Sequence, residues 1–151
     1  MKDLGQTKFC LGLQLEHFHS GIFIYQAAYV QKVLEKFNMD KSYPTKTPMV
    51  VRSLDVEKDP FRPWEEGEEI LRPHVPYLRA VGALMYLTNS TRPNIAFAVN
   101  LLARHSAEPT KRHWVGVKTF LRYLNSTRDL GLFYNRNQDP ILLRYTDAGY
   151  L

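Results

Sequence analysis

Asp147 has the address most suggestive of chemistry. It follows Ile141–Tyr145, a run that reads as a buried strand, and a carboxylate at the end of a core strand is a common metal ligand. Two-metal hydrolysis of nucleic acid needs several carboxylates converging on ions about 4 Å apart, so that attacking and departing oxygens are both stabilised. One Asp does not supply that, and on spacing alone the commoner reading of Asp147 is a turn or cap residue. A second candidate is cationic. Lys111, Lys118 and Arg122 fall on one face of a predicted helix with Arg112 beside them, a spacing that can follow a phosphate backbone and displace its counterions. A solvated helix face has the same composition, so both readings stand. His17 and His19 form an H-x-H pair, with His74, His105 and His113 elsewhere. No third or fourth ligand sits at zinc-site spacing, which favours structural or solvent-facing roles. The chain contains no glycine-rich phosphate loop, nucleophile elbow or H-E-x-x-H.

Periodicity places these residues on elements. "FCLGLQLEHFHSGIFIYQ" alternates Leu11, Leu13 and Leu15, then Ile22 and Ile24, and predicts a β-hairpin connected by "HFHSG". "AAYVQKVLEKFNM" sets Tyr29, Val30, Val33, Leu34 and Phe37 at helical spacing, with Lys32 and Lys36 opposite. From Asp40 to Pro76 the periodicity fades and six of the nine prolines collect, predicting an extended, solvated connector with at most a short strand at "MVV". Three helices follow. "PYLRAVGALMYLTNS" is apolar nearly all round and belongs at the centre of the core, with Pro76 in a first-turn position. "RPNIAFAVNLLARHS" ends before Pro109. "PTKRHWVGVKTFLRYLNS" lines up Trp114, Val117, Phe120, Leu121 and Leu124 opposite the cations. "GLFY" and "ILLRYT" then read as a strand pair around "NRNQDP". The expected fold class is α+β, divided as hairpin and helix (1–39), acidic Pro-rich linker (40–76), helical cluster (77–128) and terminal strand pair (129–151).

Composition narrows the function. With 151 residues and 44% hydrophobic content the chain can bury a core. It has no apolar run of about 18 residues, so no membrane contact is expected. "MKDLGQTKFC" carries charges where a signal peptide is apolar, which predicts an intracellular location, cytoplasmic or nuclear, without a targeting segment. Cys10 is the single cysteine. It excludes an internal disulfide, fits a reducing compartment and reads as a small buried side chain in a strand. The net charge is +5, unevenly spread. Ser53–Pro76 holds seven acids and three bases, leaving seventeen bases and eight acids elsewhere. A basic body with an acidic insertion fits a polyanionic partner, or an ordinary basic surface.

In order and spacing, these segments resemble the copia-type retrotransposon Pol polyprotein, from the end of its reverse transcriptase into its ribonuclease H. "MKDLG" is similar to the segment after the polymerase's metal-binding Asp pair. "FCLGLQLE" with "GIFIYQAAYVQKVLEKFNM" resembles the primer-grip hairpin and first thumb helix. "VPYLRAVGALMYLTNSTRPNIAFAVNLLARHSAEPTKRHWVGVKTFLRYLNSTRDLGLFY" resembles the thumb and connection, and "LLRYTDAGYL" the first ribonuclease H strand. The resemblance implies that Asp147 is one ribonuclease H metal ligand in an incomplete site. It places Lys2 near the incoming nucleotide as a proton donor to pyrophosphate, Gly12 at the hairpin holding the primer end, and Lys32 and Lys36 on the helix tracking the duplex. Asn94 stands where relatives often have Asp, and Arg144 where they often have Gly.

The resemblance therefore implies a reverse transcriptase fragment cut through both active sites and not an enzyme as this chain. No cofactor is expected for it, whereas the intact family enzyme uses Mg or Mn. Expected partners are RNA–DNA or DNA duplex, bound weakly and without sequence preference, the missing Pol segments, or further copies by self-association through an uncovered apolar face. A non-catalytic basic nucleic-acid-binding module and a functionless translated remnant are the alternatives.

Overall fold

The computed structural model describes residues 5–49 and 61–136. The order is β1 (Phe9–Cys10), β2 (Leu13–Phe18), β3 (Gly21–Tyr25), α1 (Ala27–Lys36), α2 (Tyr77–Ser90), a 3-10 turn (Pro93–Ile95), α3 (Ala96–Ala103), α4 (Lys111–Ser126) and β4 (Gly131–Asn135). The fold is α+β, as the alternating and helical periodicities require. The hairpin connection is shorter than "HFHSG". β2 runs through Phe18, which pairs with Gly21, so only His19 and Ser20 turn.

β4 supplies the topology that local pattern does not carry. It pairs antiparallel with β3, Ile24 opposite Leu132, and gives a four-stranded sheet in the order β1-β2-β3-β4. Gly131 permits this closeness, since a Cβ there would meet the Ile24 carbonyl oxygen at 2.3 Å. The expected partner strand "ILLRYT" lies outside the described residues, as do Val50 and Val51 of "MVV".

The buried apolar cluster is helical. It comprises Val30, Val33 and Leu34 of α1, Leu84 and Leu87 of α2, Val99 and Leu102 of α3, and Val117, Phe120, Leu121 and Leu124 of α4, with neighbours including Met39 and Phe61. Among the described residues, no strand side chain belongs to it. The sheet therefore keeps large apolar groups exposed, among them Phe9, Phe18, Phe133 and Tyr134. Cys10 corrects the expectation of burial: β1 is a two-residue strand at the sheet edge, and the thiol is exposed among the described residues.

The described parts of Asp40–Pro76 carry no helix or named strand and are mostly exposed, but they are tied to the helices. Its first part is pinned to the C-terminal end of α4, where Asn125 donates to the Ser42 carbonyl (2.8 Å) and Ser126 to that of Thr45 (2.6 Å). Its last part is pinned to the other end: Ile70 bridges Thr110, and the Leu71 N–H donates to the Pro109 carbonyl at 2.7 Å. Phe61 is buried in the core.

Arg92 joins the end of α2 to the end of α4. Its side chain is 1% exposed, and it donates to the Thr127 carbonyl (2.8 Å), the Thr127 hydroxyl (2.9 Å) and Asn94 Oδ1 (3.2 Å). Its guanidinium also sits 5.6 Å from the Tyr123 ring centroid. Asn94 donates in turn to the Tyr123 hydroxyl (2.9 Å), a bond that an ionised Asp could not make. Among the described residues no carboxylate faces Arg92, so its charge is met by these oxygens and the ring. A lysine cannot reproduce a three-pronged planar donor. R92K is therefore expected to cost about 2–3 kcal/mol of stability, measured as a lower urea midpoint with an unchanged slope.

Candidate nucleic-acid interface

The N-terminus of α4 is built on Thr110 and His113. The Thr110 N–H donates to His113 Nδ1 at 3.0 Å, the reciprocal half of a capping box with histidine in the position usually held by Glu or Gln. Since Nδ1 accepts, the ring proton is on Nε2, which donates to the Arg62 carbonyl at 2.9 Å. The ring stacks on His105, centroids 4.1 Å apart, and His105 Nε2 lies 3.1 Å from the Phe61 carbonyl oxygen. Burial lowers the His113 pKa, with His105 and Arg112 adding to the effect, while the Arg62 carbonyl and Glu68 oppose it.

The cationic residues around this cap have different fates. Arg112 donates through Nη2 to both oxygens of Glu68, at 2.9 and 2.7 Å, and through Nη1 to the Arg62 carbonyl at 3.1 Å. Arg62 reaches the same carboxylate at 3.1 Å and Glu65 at 2.7 Å. These contacts, led by the Arg112 hydrogen bond, hold the Glu68 pKa below the usual carboxylate value. Lys111 is paired with Glu69. Lys118 places its Nζ 5.9 Å from the Trp114 ring centroid, and Trp114 meets Phe37 of α1 edge-on at 6.4 Å. Arg122 is half-buried, and its Nε has no hydrogen-bond partner among the described residues. Lys32 and Lys36 are exposed on α1. The α4 cations thus separate into two engaged by carboxylates (Lys111, Arg112), one lying on an aromatic ring (Lys118) and one half-buried (Arg122), while Lys32 and Lys36 face solvent on the neighbouring helix.

Gly12 lies at the tip between β1 and β2 with φ +81°, after Leu11 at φ +50°, and the Leu11 carbonyl accepts from the Tyr86 hydroxyl at 2.8 Å. A Cβ at position 12 would approach that hydroxyl at 3.2 Å, so the tip needs glycine for backbone angle and for its seat on α2. Asp147 and Lys2 lie outside the described residues. No group of three or more metal-binding side chains occurs among the described residues. No described helix is long and apolar enough to cross a membrane. Sequence reading missed His113 and Glu68 as organising residues. The signal available was T-x-x-H ahead of an apolar stripe, with an acidic cluster upstream.

An α+β domain with a helical core and basic helices is the class that fold and site define. No protein-family model matches the chain, and no solved structure does. Curated relatives do. It is 40% identical over 151 residues to the retrovirus-related Pol polyprotein from transposon TNT 1-94 of Nicotiana tabacum, covering 98% of this chain and 11% of that protein. It is 31% identical over 150 residues to the corresponding polyprotein from transposon RE2 of Arabidopsis thaliana, covering 99% and 10%. It is also 31% identical over 153 residues to the uncharacterized mitochondrial protein AtMg00810 of Arabidopsis thaliana, covering 99% and 58%. The chain is thus homologous, over nearly its whole length, to a segment of the copia-type retrotransposon Pol polyproteins. It spans about a tenth of the two polyproteins named.

The buried cap carries a pH signature. The His113 pKa in the folded chain lies below the imidazole value of 6.5, so below about pH 6.5 the unfolded chain binds more protons and stability falls. The Glu68 pKa is also depressed, so its contribution is present above the ordinary carboxylate value and is lost on further acidification. H113Q restores a T-x-x-Q box with no titrating ring. Denaturation midpoints measured between about pH 7.5 and about pH 5 are expected to fall for the native chain and to stay nearly level for H113Q.

Proposed function

We propose that this chain is the thumb-and-connection part of a retrotransposon reverse transcriptase, that it binds RNA–DNA or DNA duplex without reading sequence, and that the 151 residues alone carry out no phosphoryl transfer. The observation that carries the reading is the 40% identity to a Pol polyprotein across essentially the whole chain. The geometry supports it in a second way. Lys32 and Lys36 are exposed on α1, and the Phe37–Trp114 contact joins that helix to α4, where Lys118 lies on the tryptophan ring. Two packed helices bearing cations on neighbouring turns suit the continuous charge of a duplex backbone, whose counterions they displace.

Phosphoryl transfer through two metal ions needs clustered carboxylates, and the 151 residues contain no Asp-Asp pair. Asp147 remains, on this reading, a single ribonuclease H-type ligand in an incomplete metal site, and Lys2 a residue of the nucleotide end of the polymerase. Mg or Mn belongs to the whole enzyme and its complete ligand sets.

Duplex affinity is expected to fall by about tenfold or more between 50 and 200 mM salt, and K32A/K36A to lower the salt slope by about two. Fluorescence anisotropy with a labelled RNA–DNA hybrid measures both. A salt-independent affinity overturns the binding reading. Magnesium-dependent primer extension by the same purified chain overturns the inactivity reading.

A further inference from the structure

The acidic stretch 61–71 lies on the α4 end that sequence reading assigned to a polyanion. The Glu68 carboxylate accepts from Arg112 through Nη2 and Nε, from Arg62 and from the Glu65 N–H, and Glu69 takes Lys111. The stretch is also sewn down by neutral bonds. Trp64 Nε1 donates to the Glu68 carbonyl at 3.0 Å, His113 Nε2 donates to the Arg62 carbonyl, Ile70 bridges Thr110, and Phe61 fills the core. Two carboxylates therefore stand against Lys111 and Arg112.

We infer that residues 61–71 form an electrostatic latch: Glu68 and Glu69 occupy Lys111 and Arg112 in place of a nucleic-acid backbone, and duplex engages that end of α4 by displacing them. The inference rests on the duplex-binding reading above. The arrangement has the features a displaceable competitor requires. The competing charges belong to the same chain, so their local concentration is high at any protein dilution. The outer pair, Lys111–Glu69, is solvent-exposed on both sides and weakly held. Phe61 in the core and the Ile70–Thr110 and Leu71–Pro109 contacts hold the stretch at its two ends, so what duplex displaces is the pair of carboxylate side chains and the turn between those anchors. The latch also gives the acidic insertion a role that the net charge alone does not explain.

The test compares the full chain with E68Q/E69Q, and with E69Q alone as the variant that leaves the half-buried Arg112–Glu68 contact intact. Binding of a labelled RNA–DNA hybrid is read by anisotropy across a salt series. The latch predicts binding at least about fivefold tighter at low salt for the double variant, with a salt slope steeper by about two, and by about one for E69Q. A W114F background leaves Trp64 as the only tryptophan, and duplex is expected to raise acrylamide quenching of Trp64 as the turn between the two anchors loosens. If the native chain binds with a salt-dependent affinity that neither variant changes, and Trp64 does not respond, the latch is wrong and duplex binding stands. If no form of the chain binds duplex, the binding reading fails, and the latch with it.

Discussion

A guanidinium taken out of water is tolerated only where oxygen atoms or an aromatic face surround it. Among the described residues, Arg92, Arg112 and Arg128 meet that requirement with oxygens drawn from a distant segment. Arg92 uses Thr127, 35 residues on. Arg112 uses Glu68, 44 residues back. Arg128 donates to Gln31 Oε1, to Asn125 Oδ1 and to the Asp40 carbonyl, 88 residues back. All three ties end on or beside α4. Hydrophobic burial brings the helices together without fixing their ends, and the arginines supply the direction that burial lacks.

Seen this way, what the sequence could disclose divides along the range of the interaction. The stripe Val117, Phe120, Leu121 and Leu124 is local, and it is buried as the 3.6-residue period requires. The Leu13–Leu15 and Ile22–Ile24 alternation is local too, and it forms the hairpin. The pairing of β4 with β3 joins residues more than a hundred apart, and periodicity says nothing about such partners. Lys111 and Arg112 show the same limit at a candidate site. Helical spacing gives the direction in which a side chain leaves the axis, but not what waits there, and here Glu68 and Glu69 do. His113 reads as one histidine among five until the capping geometry assigns its tautomer. Cys10 misled because strand alternation implies a covered face, and among the described residues its edge strand is exposed.

The division of labour between layers follows from the same packing. The helices hold the buried apolar cluster, and the sheet is carried at their side, with Tyr86 of α2 clasping the Leu11–Gly12 tip. Aromatic groups remain on the sheet surface, where Phe18 and Phe133 lie 6.2 Å apart and Phe23 stacks on Tyr25 at 5.1 Å. The backbone is paired across four strands while these side chains remain exposed or half-exposed among the described residues. The segment matched is about a tenth of the length of the homologous Pol polyproteins.

The two acids of the latch are not equivalent, and their difference sets an order of events. Lys111 and Glu69 retain 73% and 53% of their side-chain exposure, so water and salt compete for both throughout. Arg112 and Glu68 retain 13% and 22%, and their carboxylate also serves Arg62. Separating that pair strands a poorly hydrated guanidinium unless another anion takes the place of Glu68 at once. Fraying at Glu69 is therefore cheap and solvent-driven, whereas release at Glu68 is favourable only in exchange for a phosphate. An opening that begins without a ligand and finishes only with one selects for a dense polyanion over scattered surface charge, because the second step needs an anion already positioned by the first.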